Sequence, residues 1–297
     1  MKHHKKLSLV LIFTLSFLAG GSSRLLTQEN PGGMSQAEEN NSLSQSNSRG
    51  HSEFNVWHHL QSHHSDSYNQ LVENFNRAID DVQTLDENDT SNQLVSLTES
   101  NNPGIIHRKT EDNQDEFLMV TWTQQKYYES WTEGETPVKL ERTVWVTAKP
   151  EVYNFCNVTA GIGSHLDLSR KMMLDLRLTQ YLGLKPEPTS SDKSKDAFVE
   201  IWVKAEHIKR PCSDGRIDQN NCQMEPAKIQ EVMEDLRISQ TEYPFTGLGY
   251  AYDWGKPSPV GPSEFVIEAS QENPVEVKVS LVKDTEDYCN NQVLPNP

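Results

Sequence analysis

The chain has 297 residues, 43 Asp and Glu against 27 Lys and Arg, and a formal charge of −16. That balance excludes nucleic acid as an expected partner, because phosphate backbones are bound by Lys and Arg that replace counterions, and it disfavours anionic lipid surfaces. The length is enough to bury a sizeable core, and the acidity serves solubility.

Met1 to Lys6 carries Lys2, Lys5 and Lys6 and no acid, Leu7 to Leu18 is apolar apart from Ser8, Thr14 and Ser16, and Ala19-Gly20-Gly21-Ser22-Ser23 follows. A basic start, an apolar run and a small-residue exit predict a secretory signal peptide over 1–23. The run falls short of the roughly 20 residues that a permanent span needs. Gly21 stands where a lipoprotein signal would place its cysteine. Cleavage removes three lysines and no acid, so the charge goes to −19. No later segment is apolar enough to span a membrane, and the expected localisation is secreted or periplasmic.

Residues 24–56 are rich in Ser, Asn, Gln, Glu and Gly and predict a disordered tether, since so little apolar surface cannot offset ordering entropy. Residues 57–109 form a helical segment. Within it Tyr68, Leu71, Val72, Phe75, Ile79 and Val82 recur at three- and four-residue steps, which predicts an amphipathic helix over Ser67 to Leu85 with Asp66 as its N-cap. Asn101-Asn102-Pro103-Gly104 marks a turn.

Residues 110–290 predict one α+β body, predominantly β with two or three helices. Phe117 to Trp122 and Glu141 to Val146 read as strands, and Gly134 and Pro137 between them mark a hairpin. Leu166 to Leu182 reads as a helix that Gly183 ends and Pro186 forbids from continuing. Ala197 to Val203 is a strand and Ala227 to Leu236 a short helix. Ser263 to Glu268 and Val275 to Val282 are the last strands, the second alternating cleanly.

Four cysteines, Cys156, Cys212, Cys222 and Cys289, remain after export, none in a C-x-x-C pair. An even count in an oxidising compartment predicts disulfides. Proximity favours Cys212 with Cys222, which leaves Cys156 for Cys289, although composition alone permits other pairings.

Tyr243 to Gly255 sets five aromatic residues among three glycines, a proline and one acid. Tyr and Trp supply flat faces with polar edges, and glycine lets a backbone turn or approach a ligand closely. Tyr250, Tyr252, Asp253, Trp254 and the nearby Glu264 are therefore the candidate ligand-binding residues. As a binding surface the loop would turn the Tyr252 and Trp254 rings to solvent. The alternative is a loop packed over the core. Asp253 and Glu264, with Glu200 in the Trp202 strand, also offer carboxyl pairs of the kind glycosidases use. Bonds to backbone, or an ion pair with Arg210, are the more ordinary fates of such acids. His51, His58, His59, His63 and His64 lie close in sequence, and His59 and His63 share a helical face, a spacing that chelates zinc, copper or nickel. No nucleophile elbow, Walker loop, zinc-protease motif or dinucleotide loop occurs, and no cofactor is expected.

Asn154-Phe155-Cys156, Leu176 to Leu184, Phe198 to Val203, Arg210-Pro211-Cys212, Tyr243 to Gly255, Ser263 to Ile267 and Tyr288-Cys289 follow in that order. Together they resemble an uncharacterised family of exported bacterial proteins, over roughly residues 140–290. The resemblance implies an extracytoplasmic domain and supplies no activity and no catalytic residue. The function expected is non-catalytic binding of an extracytoplasmic ligand or protein. A hydrolase acting on cell-wall or polysaccharide material and a metal-binding protein built on the histidines are the alternatives.

Overall fold

Alternating apolar residues build the centre of the molecule. The structure, a computed structural model, describes residues 55–98, 102–159, 166–187 and 195–290. The expected signal peptide, and the expected tether up to residue 54, lie outside the described residues. The strands are β1 (His107–Lys109), β2 (Asp115–Thr123), β3 (Pro137–Leu140), β4 (Val144–Ala148), β5 (Ala197–Lys204), β6 (Ile208–Lys209), β7 (Tyr250–Tyr252), β8 (Val260–Ser263), β9 (Phe265–Ile267) and β10 (Val275–Asp284). Eight of them form one sheet, ordered β3-β10-β5-β2-β4-β9-β6 with β1 also on β2, while β7 and β8 pair separately. The described pairings are all antiparallel. The helices are α1 (Val56–His63), α2 (Ser65–Asp81), α3 (Lys149–Thr159), α4 (Arg170–Tyr181), α5 (Pro226–Asp235) and α6 (Thr285–Asn290). The α+β class is as the sequence reads.

The expected hairpin of β2 and β4 is present only in part. The strands do pair, with Met119 opposite Ala148 and Val120 opposite Thr147. The chain between them is not a simple turn: β3 sits there and pairs with β10. Val138 and Leu140 gain burial against that edge, which a free loop would not give them.

Because strand side chains alternate, the sheet has two apolar faces. Phe117 and Met119 of β2, Val199, Ile201 and Val203 of β5, and Val144 and Val146 of β4 enter one core. Val120, Trp122 and Phe198 point the other way and pack with α3, α4 and α6 through Val152, Phe155, Leu174, Leu178 and Tyr288. Cys156 of α3 is bonded to Cys289 of α6, and Cys212 to Cys222, the pairing proximity favoured.

Helix ends follow local chemistry. Asn55 caps α1, its side chain accepting from the N–H of Trp57 at 2.9 Å and of His58 at 3.1 Å. The N-cap of α2 is His64, with no side-chain bond, and not Asp66, which falls in the first turn. Gly183, at φ 66°, ends α4 as expected. Its N–H donates to the Gln180 carbonyl, and the Leu184 N–H reaches the Thr179 carbonyl at 2.8 Å, the paired closure of a left-handed C-terminus. Helices α1 and α2 bury Trp57, Leu60, Phe75 and Ala78 against Met172 of α4 and Trp254. Among the described residues no helix is long and apolar enough to cross a membrane.

Candidate functional site

A cavity of about 480 Å³ lies between the helix-covered face of the sheet, the C-terminal half of α4 and the segment after α5. Its size falls within the range of small-molecule sites. Strand register fixes its base. Val120 stands opposite Thr147 across β2 and β4, and Val120 is also opposite Glu200 across β2 and β5. Across β4 and β9, Trp145 faces Val266 and Val146 faces Phe265, so the next position sets Thr147 level with Glu264. Trp122 and Trp145 extend the base, and Leu178, Tyr181 and Leu182 of α4 and its C-terminal turn line the opposite wall.

The inner end of the cavity is polar. Glu264 is 5 % exposed. It accepts a hydrogen bond from the Tyr243 hydroxyl through Oε1, while Oε2 is buried with no hydrogen-bond partner. Burial pushes the Glu264 carboxyl up to about 7, against the opposing effect of the Tyr243 bond. Burial, with the Glu264 charge beside it, holds the Tyr243 phenol well above its ordinary value. The Thr147 Oγ1 is likewise buried without a partner. Just behind, Glu151 of α3 accepts from the Ser263 N–H at 2.8 Å, and burial pushes its carboxyl up to about 7 as well.

The outer end is basic. Arg142 lies 3.4 Å over the Tyr127 ring. Lys195 donates to the Trp122 carbonyl at 2.9 Å, and burial, aided by Arg142, pushes its ammonium down to about 8. Arg237 also lines the cavity and is exposed, at φ 54°, where it closes α5 by the same paired bonds that end α4. Glu242 is also exposed and is the other acid of the lining.

Of the five candidate ligand-binding residues, Glu264 is the one that lines the cavity. Tyr250 is buried and donates to the Asp89 carbonyl at 2.9 Å. Tyr252 is half-buried and donates to Asp81 of α2 at 2.6 Å. Asp253 is fully buried and takes an ion pair from Arg177 of α4 at 3.1 Å. Trp254 is 5 % exposed. Its indole N–H donates to the Leu184 carbonyl at 3.0 Å, and its ring lies 6.1 Å from Trp57 and 5.9 Å from Phe75. Of the two readings of this stretch, Trp254 follows the packed loop and not the solvent-facing surface, while Tyr252 stays half-exposed: the apolar faces of α1 and α2 need a partner on the body, and Trp254 supplies it. The suggested pairing of acids with Arg210 is corrected. Glu200 is bound by Lys149 at 2.8 Å and by the Tyr288 hydroxyl at 2.7 Å. Arg210 instead donates to the carbonyls of Val95, Gln219, Arg216 and Gly249.

Thr147, Trp122, Trp145, Tyr181, Arg142 and Lys195 were not singled out from the sequence. Thr147 left one signal, a hydroxyl among Val144, Trp145, Val146 and Ala148 in a strand with both faces apolar. Tyr243 did fall within the aromatic stretch that drew notice.

The histidines approach one another on α1. The His59 and His63 rings are 4.8 Å apart and His64 lies 5.7 Å from His59. The His59 Nε2 is buried without a hydrogen-bond partner, and burial with the neighbouring histidines lowers its pKa. Among the described residues, the group whose three ligand atoms fall within 4.8 Å of one another is Cys212, Asp214 and Cys222, and its sulfurs are spent in the disulfide. The chain matches no protein-family model, no curated protein and no solved structure, and the resemblance over residues 140–290 gains nothing from those comparisons.

Proposed function

We propose that the protein is a non-catalytic binding protein working outside the cytoplasm, secreted or periplasmic, and that it takes a small, mostly apolar molecule into the cavity beneath α4. The observation that carries this reading is the pair of buried polar atoms, Glu264 Oε2 and Thr147 Oγ1, lacking protein partners at the inner end of an aromatic-lined cavity. A buried hydrogen-bonding group left unsatisfied costs about 1–3 kcal/mol, and a ligand carrying one matching polar group recovers it. The aromatic walls accept the rest of such a molecule by burial of its apolar surface.

Binding is favoured over hydrolysis by the fate of the other acids. Asp253 and Glu200 are each committed to a cation. Glu264 shares the cavity lining with one other acid, Glu242. An export route is supported by the signal-like residues 1–23 and by two disulfides, which suit an oxidising compartment.

The test is titration of the exported protein with the neutral fluorophore N-phenyl-1-naphthylamine, followed by probe emission and by tryptophan quenching. Saturable one-to-one binding is expected, and Thr147→Phe, which fills the inner end, should abolish it while leaving the circular dichroism spectrum unchanged. Unaltered binding in a folded Thr147→Phe protein would refute the site.

A further inference from the structure

In a chain where acids outnumber bases 43 to 27, cations have no shortage of carboxylate partners. Arg108, Lys149, Lys171, Arg177, Lys209 and Lys278 each take one. Arg142, Lys195 and Arg237 form no ion pair among the described residues, yet all three line the aromatic cavity described above, and the Arg142 charge acts directly on Lys195. Lys195 is the most telling. Its ammonium is drawn off the surface to the Trp122 carbonyl, beside another cation, where desolvation disfavours its charge. One hydrogen bond leaves further N–H donors on that nitrogen. Such an arrangement costs free energy unless an anion completes it.

The rim and the buried carboxyl stand at opposite ends. Arg142 precedes Thr147 by five residues, and Lys195 precedes Glu200, the neighbour of Val120, by five. At about 3.3 Å per extended residue the two ends are separated by a distance on the order of 15 Å. The lining between them is largely apolar, with Trp122, Trp145, Leu178 and Tyr181 prominent. A purely hydrophilic anion would leave that surface unused, and a purely apolar molecule would leave the rim uncompensated. The lining sets two acids, Glu242 and Glu264, against the three cations Arg142, Lys195 and Arg237, and it stays net positive.

Resting on the binding reading above, we infer that the ligand is an amphipathic organic anion, its charged head held by Arg142 and Lys195 and its apolar body lying along Trp122 and Trp145 towards Glu264. The head is a carboxylate or a sulfonate-like group, planar or tetrahedral, since a guanidinium beside an ammonium serves both. The molecule enters body first and leaves its head at the exposed rim.

Two probes with one ring skeleton separate this inference from the binding reading. 1-Anilinonaphthalene-8-sulfonate differs from N-phenyl-1-naphthylamine by its sulfonate alone. The sulfonate should bind about tenfold tighter at low salt, the gain expected of charge-assisted hydrogen bonds at a partly buried site, and added salt should narrow the gap. Arg142→Gln, a change at an exposed residue, should remove part of the preference, and Arg142→Gln with Lys195→Met should remove nearly all of it, the neutral probe losing far less affinity than the sulfonate. Dodecanoate should displace the sulfonate probe and dodecyltrimethylammonium should not. Equal affinity for the two probes, an unaffected double variant, or equal displacement by the cationic detergent would overturn the anion assignment while the binding reading stood. If neither probe bound saturably, both would fall.

Discussion

Trp254 was the most conspicuous ligand-binding candidate in the sequence, and its replacement by alanine separates a ligand contact from a structural clamp. The ring is 5 % exposed and meets Trp57 of α1 and Phe75 of α2. Truncating a buried Trp to Ala costs about 3–5 kcal/mol through lost burial and the cavity left behind. The Leu184 carbonyl also loses its indole donor, which adds about 1 kcal/mol if water does not replace it. In a chain of this size 1 kcal/mol moves the melting temperature by roughly 2–4 °C. Trp254→Ala should therefore melt about 10 °C or more below the parent. The loss should be local in character as well. Without Trp254 the α1–α2 hairpin keeps only Met172 and partly buried neighbours on the body, so its amides should exchange faster while those of β2 and β5 stay protected. Trp254→Phe keeps an apolar ring and should recover most of the loss. A thermal melt of Trp254→Ala within 2 °C of the parent, with α1 and α2 amides still protected, would refute the clamp.

Glu264→Gln tests the buried carboxyl. Its folded pKa of about 7 stands above the ordinary 4.5, so the stability it contributes at low pH is lost as pH rises through that window, on the order of 3 kcal/mol. Urea midpoints at pH 5 and pH 8 should differ less in Glu264→Gln than in the parent, and an identical pH dependence would contradict the assignment. Cys212→Ser with Cys222→Ser opens a loop of sequence separation 10 and should cost about 3 kcal/mol in non-reducing urea titrations. Gly249→Ala should destabilise by about 1–3 kcal/mol: φ is +78°, and a Cβ there would stand 2.6 Å from the Cys222 sulfur and 2.7 Å from the Arg210 Cδ. A melting temperature equal to the parent's would show that this turn tolerates a side chain.

Elements with a strong apolar period were legible in the sequence. The β5 strand, α5 and the alternating β10 lie within a residue or two of their expected bounds. Helices α3 and α6 were missed for a physical reason. Helix α6 has only 6 residues and α3 carries no clean apolar stripe, so each gains its hold from tertiary burial and from the Cys156–Cys289 bond more than from its own pattern. Helix α1 begins at Val56, at the edge of the expected tether, because Asn55 caps it and Trp57 and Leu60 find Trp254 and Met172. The cavity was legible in only two of its residues, Glu264 and Tyr243. The others come from β2, β4, α4, the approach to β5 and the segment after α5, and only the tertiary fold, the antiparallel register above all, brings them together. Composition had drawn attention to the aromatic stretch, but aromatic density reports burial as readily as binding.

The stretch from Tyr243 to Gly255 thus serves the cavity by two separate routes. At its start Tyr243 fixes the Glu264 carboxyl by a direct hydrogen bond. At its end Asp253 draws Arg177 of α4 into an ion pair, and Trp254 docks α1 and α2 beside the same helix. Helix α4 is also packed against α6, which the Cys156–Cys289 bond ties to α3. The wall that carries Leu178 and Tyr181 is accordingly held from several sides at once. A wall fixed in this way needs no ligand to form the cavity, and on the proposed binding reading much of the ordering cost of binding is met by folding. The residues that look most like ligand contacts in the sequence, Asp253 and Trp254, act by holding that wall in place. On the proposed binding reading the contacts fall instead to Thr147, Glu264, Arg142 and Lys195, which three separate parts of the chain supply.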